Sequence, residues 1–237
     1  MLNKPNLVLS GSSRGLGKEM VGILRSKGYN VITMGFTSES EVDIRCDLLD
    51  LISLKSALKK ASGQFGDINV LVCNAGTGKR PSNNLSEIEE KSYFRSKNFL
   101  TAQNLLTASE PYLAERNCSV IGISSIVALK EVVGAPIGYR EAKQALNAYF
   151  QEKAKELAAR GVRVNVVSPG NIYFEGSRWH ELSRENPGFV ETHLKKDVPL
   201  QTFISPEEIA EAIVFLSSSS AKNITGANLV IDGGQSL

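Results

Sequence analysis

The feature that most constrains the fold is a regular alternation of short apolar runs with longer helix-like segments. The apolar runs are continuous, as is typical of strands buried on both faces of a parallel sheet. They cover residues 6–9, 30–34, 42–46, 69–73, 119–124, 163–167 and 228–231. The helix-like segments cover residues 18–27, 51–62, 87–116, 139–160 and 206–217. This alternation predicts an α/β protein with a doubly wound parallel sheet and right-handed crossovers.

Two of the predicted helices begin with a capping box. Ser86 is followed three residues later by Glu89, and Ser205 by Glu208, so each pair can satisfy the free N–H groups of a first helical turn. Pro206 at the first position of the last helix supports that assignment. A chain of 237 residues suits one sizeable α/β domain, which we expect to span residues 1–237.

Two segments depart from the regular pattern. The connection over residues 35–41 is too short for a helical crossover, so we expect a full helix to be missing there. Residues 176–199 are long and weakly periodic and contain the single tryptophan and both histidines. Segments of this kind are usually lids or binding loops. We predict a substrate lid, with an ordinary surface excursion as the alternative.

Composition excludes several classes of function. The 27 basic and 25 acidic residues leave a formal charge of +2, which does not indicate a nucleic-acid or membrane-surface partner. No apolar run approaches the roughly 18–20 residues of a membrane span. Cys46, Cys73 and Cys118 are widely spaced, and His180 and His193 are the only histidines. We therefore expect a cytoplasmic protein with reduced thiols and no metal site.

A glycine-rich turn follows the first predicted strand and precedes the first helix. Its spacing is Gly11-x-x-x-Gly15-x-Gly17. Glycines allow a tight path and close approach, and the helix N-terminus offers N–H groups and a positive dipole to a pyrophosphate. The turn predicts a dinucleotide site, although an ordinary strand–helix turn has a similar composition.

Tyr139 and Lys143 lie one helical turn apart on the same face of a predicted helix, so both can reach one reacting centre. A phenol has a reference pKa of about 10, and a neighbouring ammonium favours the phenolate. Lowering the pKa of the phenol to about 7 requires roughly 4 kcal/mol. Taken alone, the pair also fits a packed tyrosine beside a solvated lysine.

Taken together, the motifs resemble the short-chain dehydrogenase/reductase family over essentially the whole chain, and this resemblance implies a Rossmann-type fold. The motifs occur in the family's order: Gly11-x-x-x-Gly15-x-Gly17, Asp47, Asn74-Ala75-Gly76, Asn98, Ser125, Tyr139-x-x-x-Lys143, Pro169-Gly170, Thr225-Gly226 and Asp232-Gly233-Gly234.

The resemblance assigns four catalytic residues. Tyr139 would protonate a carbonyl oxygen as hydride arrives, or act as the base in the reverse direction, and Lys143 would hold the nicotinamide ribose and favour the phenolate. Ser125 would hydrogen-bond the substrate oxygen, with Ser124 as the neighbouring candidate because the stretch to Tyr139 is one residue longer than usual. Asn98 would anchor a water that relays protons to Lys143. Such donors stabilise the negative charge that hydride transfer leaves on oxygen.

The resemblance also implies a set of cofactor-binding residues: Gly11, Ser13, Arg14, Gly15, Leu16, Gly17, Thr37, Asp47, Leu48, Asn74, Ala75, Gly76, Tyr139, Lys143, Pro169, Gly170 and Ile172. Asp47 would meet the adenine, and a helix N-cap is a second, compatible role for it. Phe174 stands where many relatives have a threonine that contacts the nicotinamide carboxamide.

The second strand ends without the carboxylate that binds an adenosine 2′-hydroxyl in NAD-dependent folds. Arg14, inside the glycine turn, suits a 2′-phosphate because a guanidinium matches phosphate geometry. We therefore expect NADP(H) as the cofactor. NAD(H) is the alternative, since the short crossover would allow Glu39 to turn inward.

The resemblance implies a small-molecule ketone or secondary alcohol as substrate. The pattern is most similar to 3-oxoacyl-carrier-protein reductases, which suggests a carrier-bound substrate. Lys79 and Arg80 would meet an anionic substrate or carrier, although a solvated loop is the simpler explanation for them. A sugar or polyol oxidoreductase of the same family is the alternative. A non-catalytic NADP(H)-binding sensor or scaffold is a hypothesis of another class. Relatives commonly assemble through the helices here predicted at 87–116 and 139–160, so a homotetramer or homodimer is expected.

Overall fold

The centre of the molecule is a parallel sheet with the strand order β3-β2-β1-β4-β5-β6-β7. The computed structural model describes residues 4–36, 41–81 and 84–237. The strands are β1 (Asn6–Ser10), β2 (Asn30–Gly35), β3 (Ile44–Arg45), β4 (Val70–Cys73), β5 (Cys118–Ile123), β6 (Val162–Pro169) and β7 (Asn228–Ile231). The predicted doubly wound, Rossmann-type sheet is confirmed.

Helices cover both faces of this sheet. They are α1 (Gly15–Ser26), α2 (Leu51–Phe65), α3 (Glu87–Arg95), α4 (Thr101–Ser109), α5 (Ile137–Leu157), α6 (Arg178–Glu185), α7 (Pro187–Asp197) and α8 (Pro206–Ser217). Alternate strand residues enter two separate cores because successive side chains of a strand point to opposite faces. Leu7 and Leu9 pack with α1 and α8, whereas Val8 packs with α2, α4 and α5.

The order of the strands creates a crevice between β1 and β4. The chain runs outward from β1 through β2 to β3 and then returns to β4 on the other side of β1. Loops that follow these neighbouring strands therefore diverge in opposite directions at their carboxyl ends. Open α/β sheets bind ligands at such a switch point.

The single long helix predicted over residues 87–116 is interrupted. Between α3 and α4 the chain forms a π-helical turn over Ser96–Leu100, and after α4 a short 3₁₀ turn covers Glu110–Tyr112. Arg116 and Asn117 have positive φ angles of 62° and 59°, which end any helical path. The capping boxes predicted at Ser86 and Ser205 are both present.

The edge strand β3 is shorter than the predicted run over residues 42–46. A side chain replaces part of its ladder: the Asp43 carboxylate accepts hydrogen bonds from the Thr33 amide, at 2.8 Å, and from Thr33 Oγ1, at 2.7 Å. The carboxylate thus pairs with hydrogen-bond donors at the edge of β2, at a position where β3 provides no partner. Glu39 and the predicted cofactor residue Thr37 lie outside the described residues.

The segment 176–199 is helical, not the loop that its weak periodicity predicts. It contains α6 and α7, and we call it the cap hairpin. Ser177 Oγ accepts a hydrogen bond from the His180 amide at 3.1 Å, and Asn186 Oδ1 accepts one from the Phe189 amide at 3.1 Å. These N-caps define two short helices whose few apolar positions give little periodic signal.

Across the three described ranges, no helix has the length and apolar character needed to cross a bilayer.

Candidate active site

The glycine turn brings the N-terminus of α1 to the crevice. Gly11 and Gly15 have positive φ angles of 67° and 58°, a region that L side chains rarely adopt. A Cβ atom at Gly11 would lie 2.9 Å from Ala75 Cα, and one at Gly17 would clash with the Gly11 carbonyl oxygen. No side-chain hydrogen bond caps α1, and its first turn holds no acidic residue. These free N–H groups and the positive helix dipole fit a pyrophosphate.

Asn74 links the end of β4 to the turn after β1 by hydrogen bonds. Its Nδ2 donates to the Ser10 carbonyl oxygen at 3.0 Å, and its backbone N–H donates to Ser10 Oγ at 3.0 Å. The Ala75 amide donates to the same hydroxyl at 3.2 Å. Ser10 is not among the predicted site residues, although its position directly before the glycine turn was a usable signal. It holds the two walls of the crevice together.

Gly76 is the point at which two predicted catalytic side chains approach the backbone. A Cβ atom added there would lie 2.6 Å from Asn98 Oδ1 and 3.4 Å from Lys143 Nζ. Only a residue without a side chain leaves both polar atoms in place. The structure therefore brings Asn98 and Lys143 to one spot at the carboxyl end of β4.

Asn98 is fully buried in the π-helical turn between α3 and α4. Its Oδ1 accepts a hydrogen bond from the Thr77 amide at 2.9 Å, and its Nδ2 donates to the carbonyl oxygens of Thr77 at 3.0 Å and Phe94 at 3.1 Å. The amide thus satisfies a widened helical turn and fixes the loop after β4. π-turns are frequent at functional sites for this reason.

Tyr139 lies on the first turn of α5 with its ring against Phe94 and Gly78. The ring centroids of Tyr139 and Phe94 are 5.8 Å apart, and a Cβ at Gly78 would lie 3.5 Å from Tyr139 Cε1. The Tyr139 side chain is hydrogen-bonded to Ser125. Ser124, the other candidate, is buried with an Oγ that has no partner among the described residues.

Lys143 is one turn further along α5, and only 3% of its surface is exposed. Its Nζ donates to the Ile123 carbonyl oxygen at 2.8 Å and lies 5.9 Å from the centroid of the Tyr139 ring. Burial disfavours the charged form and lowers the pKa of Lys143 to about 8. A backbone carbonyl such as that of Ile123 gives no sequence signal, so this partner could not be predicted.

Burial raises the pKa of Tyr139, and its hydrogen bond with Ser125 opposes that change without cancelling it. The expectation that Lys143 brings the pKa of this phenol down is therefore not met by the residues of the chain alone. The phenol keeps its proton at neutral pH, a state that suits a proton donor. We call the four predicted catalytic residues, Asn98, Ser125, Tyr139 and Lys143, the catalytic floor.

Asp47, which the resemblance places at the adenine end, accepts a hydrogen bond from the Leu49 amide at 2.9 Å on Oδ1. The alternative role of Asp47 as the helix N-cap is wrong, because Asp50 caps α2 through the amides of Ile52 and Ser53. The Leu48 carbonyl oxygen accepts from Asn104 Nδ2 at 2.9 Å.

Two further predicted cofactor residues lie beside this end of the site. Ser13 packs against Gly35, where an added Cβ would lie 3.0 Å from Ser13 Cβ. Leu16 packs into the core formed with α1 and α8. Their side chains support the glycine turn, so the backbone of the turn would make most of the contact with a cofactor.

The nicotinamide end predicted by the resemblance follows β6, whose last residue is Pro169. The Gly170 amide donates to the Ile231 carbonyl oxygen at 2.8 Å, and a Cβ there would lie 2.9 Å from Asp232 Cα. Ile172 forms a parallel bridge with Ile204. The loop is thus held against the segment after β7.

Aromatic rings of the cap hairpin stack on one another. Trp179 stacks on His193 with centroids 4.6 Å apart and lies 5.4 Å from Phe203, which in turn stacks on Tyr173 at 5.2 Å. Phe189 covers the other side of His193 at 6.1 Å. Tyr173 and Phe203 flank the hairpin, and Tyr173 and Phe189 remain partly exposed, so Trp179 packs the hairpin against the neighbouring segments.

Among the described side chains, no group of three histidines, cysteines or acidic residues is arranged to hold a metal ion. The site instead combines an anion-binding helix terminus with a serine, a tyrosine and a lysine at the carboxyl ends of the strands. That combination defines a class: dinucleotide-binding α/β proteins with a proton-transfer site.

Comparison with known proteins gives the family. A family model described as Enoyl-(Acyl carrier protein) reductase matches residues 11–236. The chain belongs to the short-chain dehydrogenase/reductase family of oxidoreductases, as its motifs predicted.

Individual relatives are similar over nearly the whole chain. The 3-oxoacyl-[acyl-carrier-protein] reductase of Mus musculus is 29% identical, with 96% of each chain aligned. Carbonyl reductase family member 4 of Xenopus tropicalis is 30% identical, again with 96% of each chain aligned. The structure of L-sorbose reductase from Gluconobacter frateurii, complexed with NADPH and L-sorbose, has a TM-score of 0.86 at 23% identity, covering 99% of this chain and 97% of that one.

Proposed function

We propose that the protein is an NADP(H)-dependent oxidoreductase that transfers hydride between nicotinamide and a ketone or secondary alcohol. The observation that carries this proposal is the convergence of the catalytic floor beside the uncapped N-terminus of α1. Asn98 and Lys143 approach Gly76, and Tyr139 is hydrogen-bonded to Ser125. The floor supplies proton donors, and the helix terminus supplies a place for a pyrophosphate.

In the direction of reduction, the bound nicotinamide supplies the hydride. The Tyr139 hydroxyl, which burial keeps protonated, donates its proton to the substrate oxygen, and the Ser125 hydroxyl donates a hydrogen bond to the same atom. Lys143 supplies positive charge beside the phenolate that remains. Asn98 keeps the loop after β4 in place and orients the polar path that returns a proton toward Lys143.

Arg14 favours NADP(H) over NAD(H). It is exposed at the start of α1, and no hydrogen bond or ion pair of its guanidinium is present among residues 4–36, 41–81 and 84–237. A free guanidinium at this position suits a 2′-phosphate. The L-sorbose reductase of the same fold was solved with NADPH. Glu39 keeps NAD(H) as the alternative cofactor, and tighter binding of NADPH than NADH to the purified protein is the expected result.

A 3-oxoacyl group, free or carried by a thioester, is the proposed substrate class, because the mouse relative is a 3-oxoacyl-[acyl-carrier-protein] reductase. Lys79 is exposed just beyond Gly78 and the Tyr139 ring, where it would meet an anionic carrier. Arg80 is less available to an anionic carrier, since its Nε lies 3.4 Å from Glu90 Oε2. A keto-sugar or polyol is the alternative, supported by the shared fold of L-sorbose reductase.

The test is NADPH consumption with acetoacetyl thioesters and keto-sugars, using the wild type and Tyr139→Phe. Loss of the transferable proton lowers kcat/KM by about 1,000-fold, while the ring and its packing remain. Tyr149→Phe is the matched control, because Tyr149 lies on the same helix and its hydroxyl pairs with Thr107 Oγ1, at 3.2 Å, away from the catalytic floor.

Equal turnover by wild type and Tyr139→Phe would remove the phenol from the mechanism. Tight NADPH binding without turnover of any ketone would favour the non-catalytic sensor. Among active substrates, the higher kcat/KM decides between the acyl and sugar classes.

We further propose a homotetramer or homodimer in the cytoplasm. The edge strand β7 carries Val230 with 37% of its surface exposed, and Phe215 of the neighbouring α8 is 43% exposed. Pairing of two copies would cover these apolar positions. The buried free thiols of Cys46, Cys73 and Cys118 suit a reducing compartment. Light scattering at micromolar concentration tests the assembly, and a monomer would contradict it.

A further inference from the structure

His193 makes a hydrogen-bonded connection that the proposed reaction does not by itself require. It lies on α7, and only 13% of its side-chain surface is exposed. Its Nδ1 is 2.8 Å from Asp197 Oδ2, and its Nε2 is 2.7 Å from Asn171 Nδ2. A largely covered imidazole with partners at both nitrogens is fixed in position and in plane.

The chemistry of the partners sets the direction of these bonds. The Asp197 carboxylate only accepts, so Nδ1 of His193 carries the hydrogen. Nε2 is then the acceptor and receives a hydrogen from the Asn171 amide nitrogen. Asp197 therefore selects the tautomer of His193 that binds Asn171, as a carboxylate does for metal-ligating or catalytic histidines.

Asn171 connects this histidine to the loop after β6. It directly follows Gly170, and its carbonyl oxygen accepts from the Ile204 amide at 2.9 Å. The next residue but one, Tyr173, donates its amide to the Ile204 carbonyl oxygen at 2.8 Å. The backbone of the loop is thus held on one side by residue 204, and the side chain of Asn171 is held on the other by the cap hairpin.

We propose that His193 is a positioning residue: through Asn171 it fixes the 169–172 loop and couples that loop to the cap hairpin. This inference rests on the proposed function, in which the 169–172 loop forms the nicotinamide end of the site. Binding of the nicotinamide half of the cofactor then changes the position of the cap hairpin, whereas binding of the adenosine half does not. The arrangement also explains the stacked rings around His193, which hold the imidazole rigid between Trp179 and Phe189.

The chain contains its own reporter for this coupling. Trp179 is the single tryptophan, and it stacks on His193 at 4.6 Å. NADP⁺ is the chosen ligand because it does not absorb where tryptophan emits, and 2′,5′-ADP is the fragment that lacks the nicotinamide half. With the wild type, we expect NADP⁺ to change the Trp179 emission and 2′,5′-ADP to leave it unchanged, while calorimetry shows that both bind.

His193→Phe retains the stacked ring and removes both hydrogen bonds. We expect its affinity for 2′,5′-ADP to match the wild type, its emission response to NADP⁺ to be lost, and its kcat to fall by about tenfold to a hundredfold. His193→Gln, which keeps an acceptor for Asn171, restores part of the response. Asn171→Ala gives the same loss from the other side of the bond. His180→Phe is the matched control, because the imidazole of the other histidine bonds the Gly176 amide within the hairpin, at 3.1 Å.

Three outcomes would contradict the positioning role of His193 or the proposed function. If His193→Phe and Asn171→Ala keep the NADP⁺ response and the kcat of the wild type, the positioning role is wrong. The same holds if wild-type emission responds equally to 2′,5′-ADP. If calorimetry shows that the wild type binds neither ligand, the proposed function itself fails and this inference fails with it.

Discussion

The catalytic floor and the cap hairpin are built in opposite ways. Asn98 and Lys143 of the floor are buried and are held by backbone groups, as Lys143 is by the Ile123 carbonyl oxygen. Tyr139 and Ser125 are half-buried and are hydrogen-bonded to each other. The hairpin is half exposed and is held by stacked rings and by hydrogen bonds that include the one between His193 and Asn171. Tyr139 and Lys143 thus lie on the long helix α5, whereas the hairpin depends on a few side-chain contacts that can rearrange.

The largest expected effect comes from a substitution in the floor that removes activity and leaves the fold stable. Lys143→Met removes the buried ammonium and should lower kcat/KM by at least the roughly 1,000-fold expected for Tyr139→Phe. It should not destabilise the fold at pH 7. Burying the charge lowers the pKa of Lys143 from 10.5 to about 8, which corresponds to a cost of about 3 kcal/mol. The Ile123 carbonyl oxygen loses its donor in the variant, which costs about 1–2 kcal/mol.

The difference in the free energy of unfolding between Lys143→Met and the wild type depends on pH, because burial lowers the pKa of Lys143. Between about pH 8 and 10.5 the unfolded chain binds the Lys143 proton and the folded chain does not, so the wild type gains stability from this residue as pH rises. Below pH 8 the cost of the buried charge is complete. The advantage of Lys143→Met in the free energy of unfolding should therefore shrink from pH 8 to pH 10. Urea melts measure it, and Lys155→Met, an exposed change on the same helix, should show no such trend.

A smaller effect is expected from adding a methyl group to the floor. Gly76→Ala would place Cβ 2.6 Å from Asn98 Oδ1, so Asn98 or the loop after β4 must shift. Overpacking of this kind costs about 1–3 kcal/mol. We expect a lower midpoint in urea and a loss of kcat at unchanged protein yield. A variant with wild-type kcat would show that Asn98 and Lys143 need not meet at this residue.

The smallest effect has the opposite sign and lies in the hairpin. Gly188 is near the start of α7, and a Cβ there meets nothing within 4 Å. Gly188→Ala should stabilise the protein by about 0.5–1 kcal/mol, because alanine loses less conformational entropy in a helix. Thermal melts measure the gain. Destabilisation by Gly188→Ala would mean that the hairpin is packed as tightly as the floor, and the contrast between them would disappear.

The Tyr139–Lys143 pair of the floor and the neighbouring glycine turn were predictable from local rules, whereas Asn98 and Ser125 were expected only from the resemblance to the family. Tyr139 and Lys143 share a helix face at a spacing of four, and Gly11, Gly15 and Gly17 mark a turn that needs positive φ or close approach. The hairpin was not predictable to the same degree. Its helices are short and depend on the N-caps Ser177 and Asn186, and its core consists of rings whose contacts, such as Trp179 with Phe203, cross sequence elements.

Some details of the floor itself were also beyond local rules. The π-helical turn at Asn98 arises where a predicted continuous helix meets the loop after β4, and only their packing reveals the widened turn. The direction of the Tyr139 pKa depends on how completely its surroundings exclude water, and burial outweighs the opposing effect of Ser125. Sequence spacing contains no measure of that exclusion.

By itself the sequence determined the family and the doubly wound α/β fold, because motif order, apolar periodicity and glycine turns are properties of neighbouring residues. The roles of the catalytic floor residues stay a prediction from the family resemblance. The tertiary structure decided which serine bonds Tyr139, how far burial lowers the pKa of Lys143, and that His193 connects the cap hairpin to Asn171. These depend on contacts between distant segments and on exclusion of water, which exist only once the chain has folded.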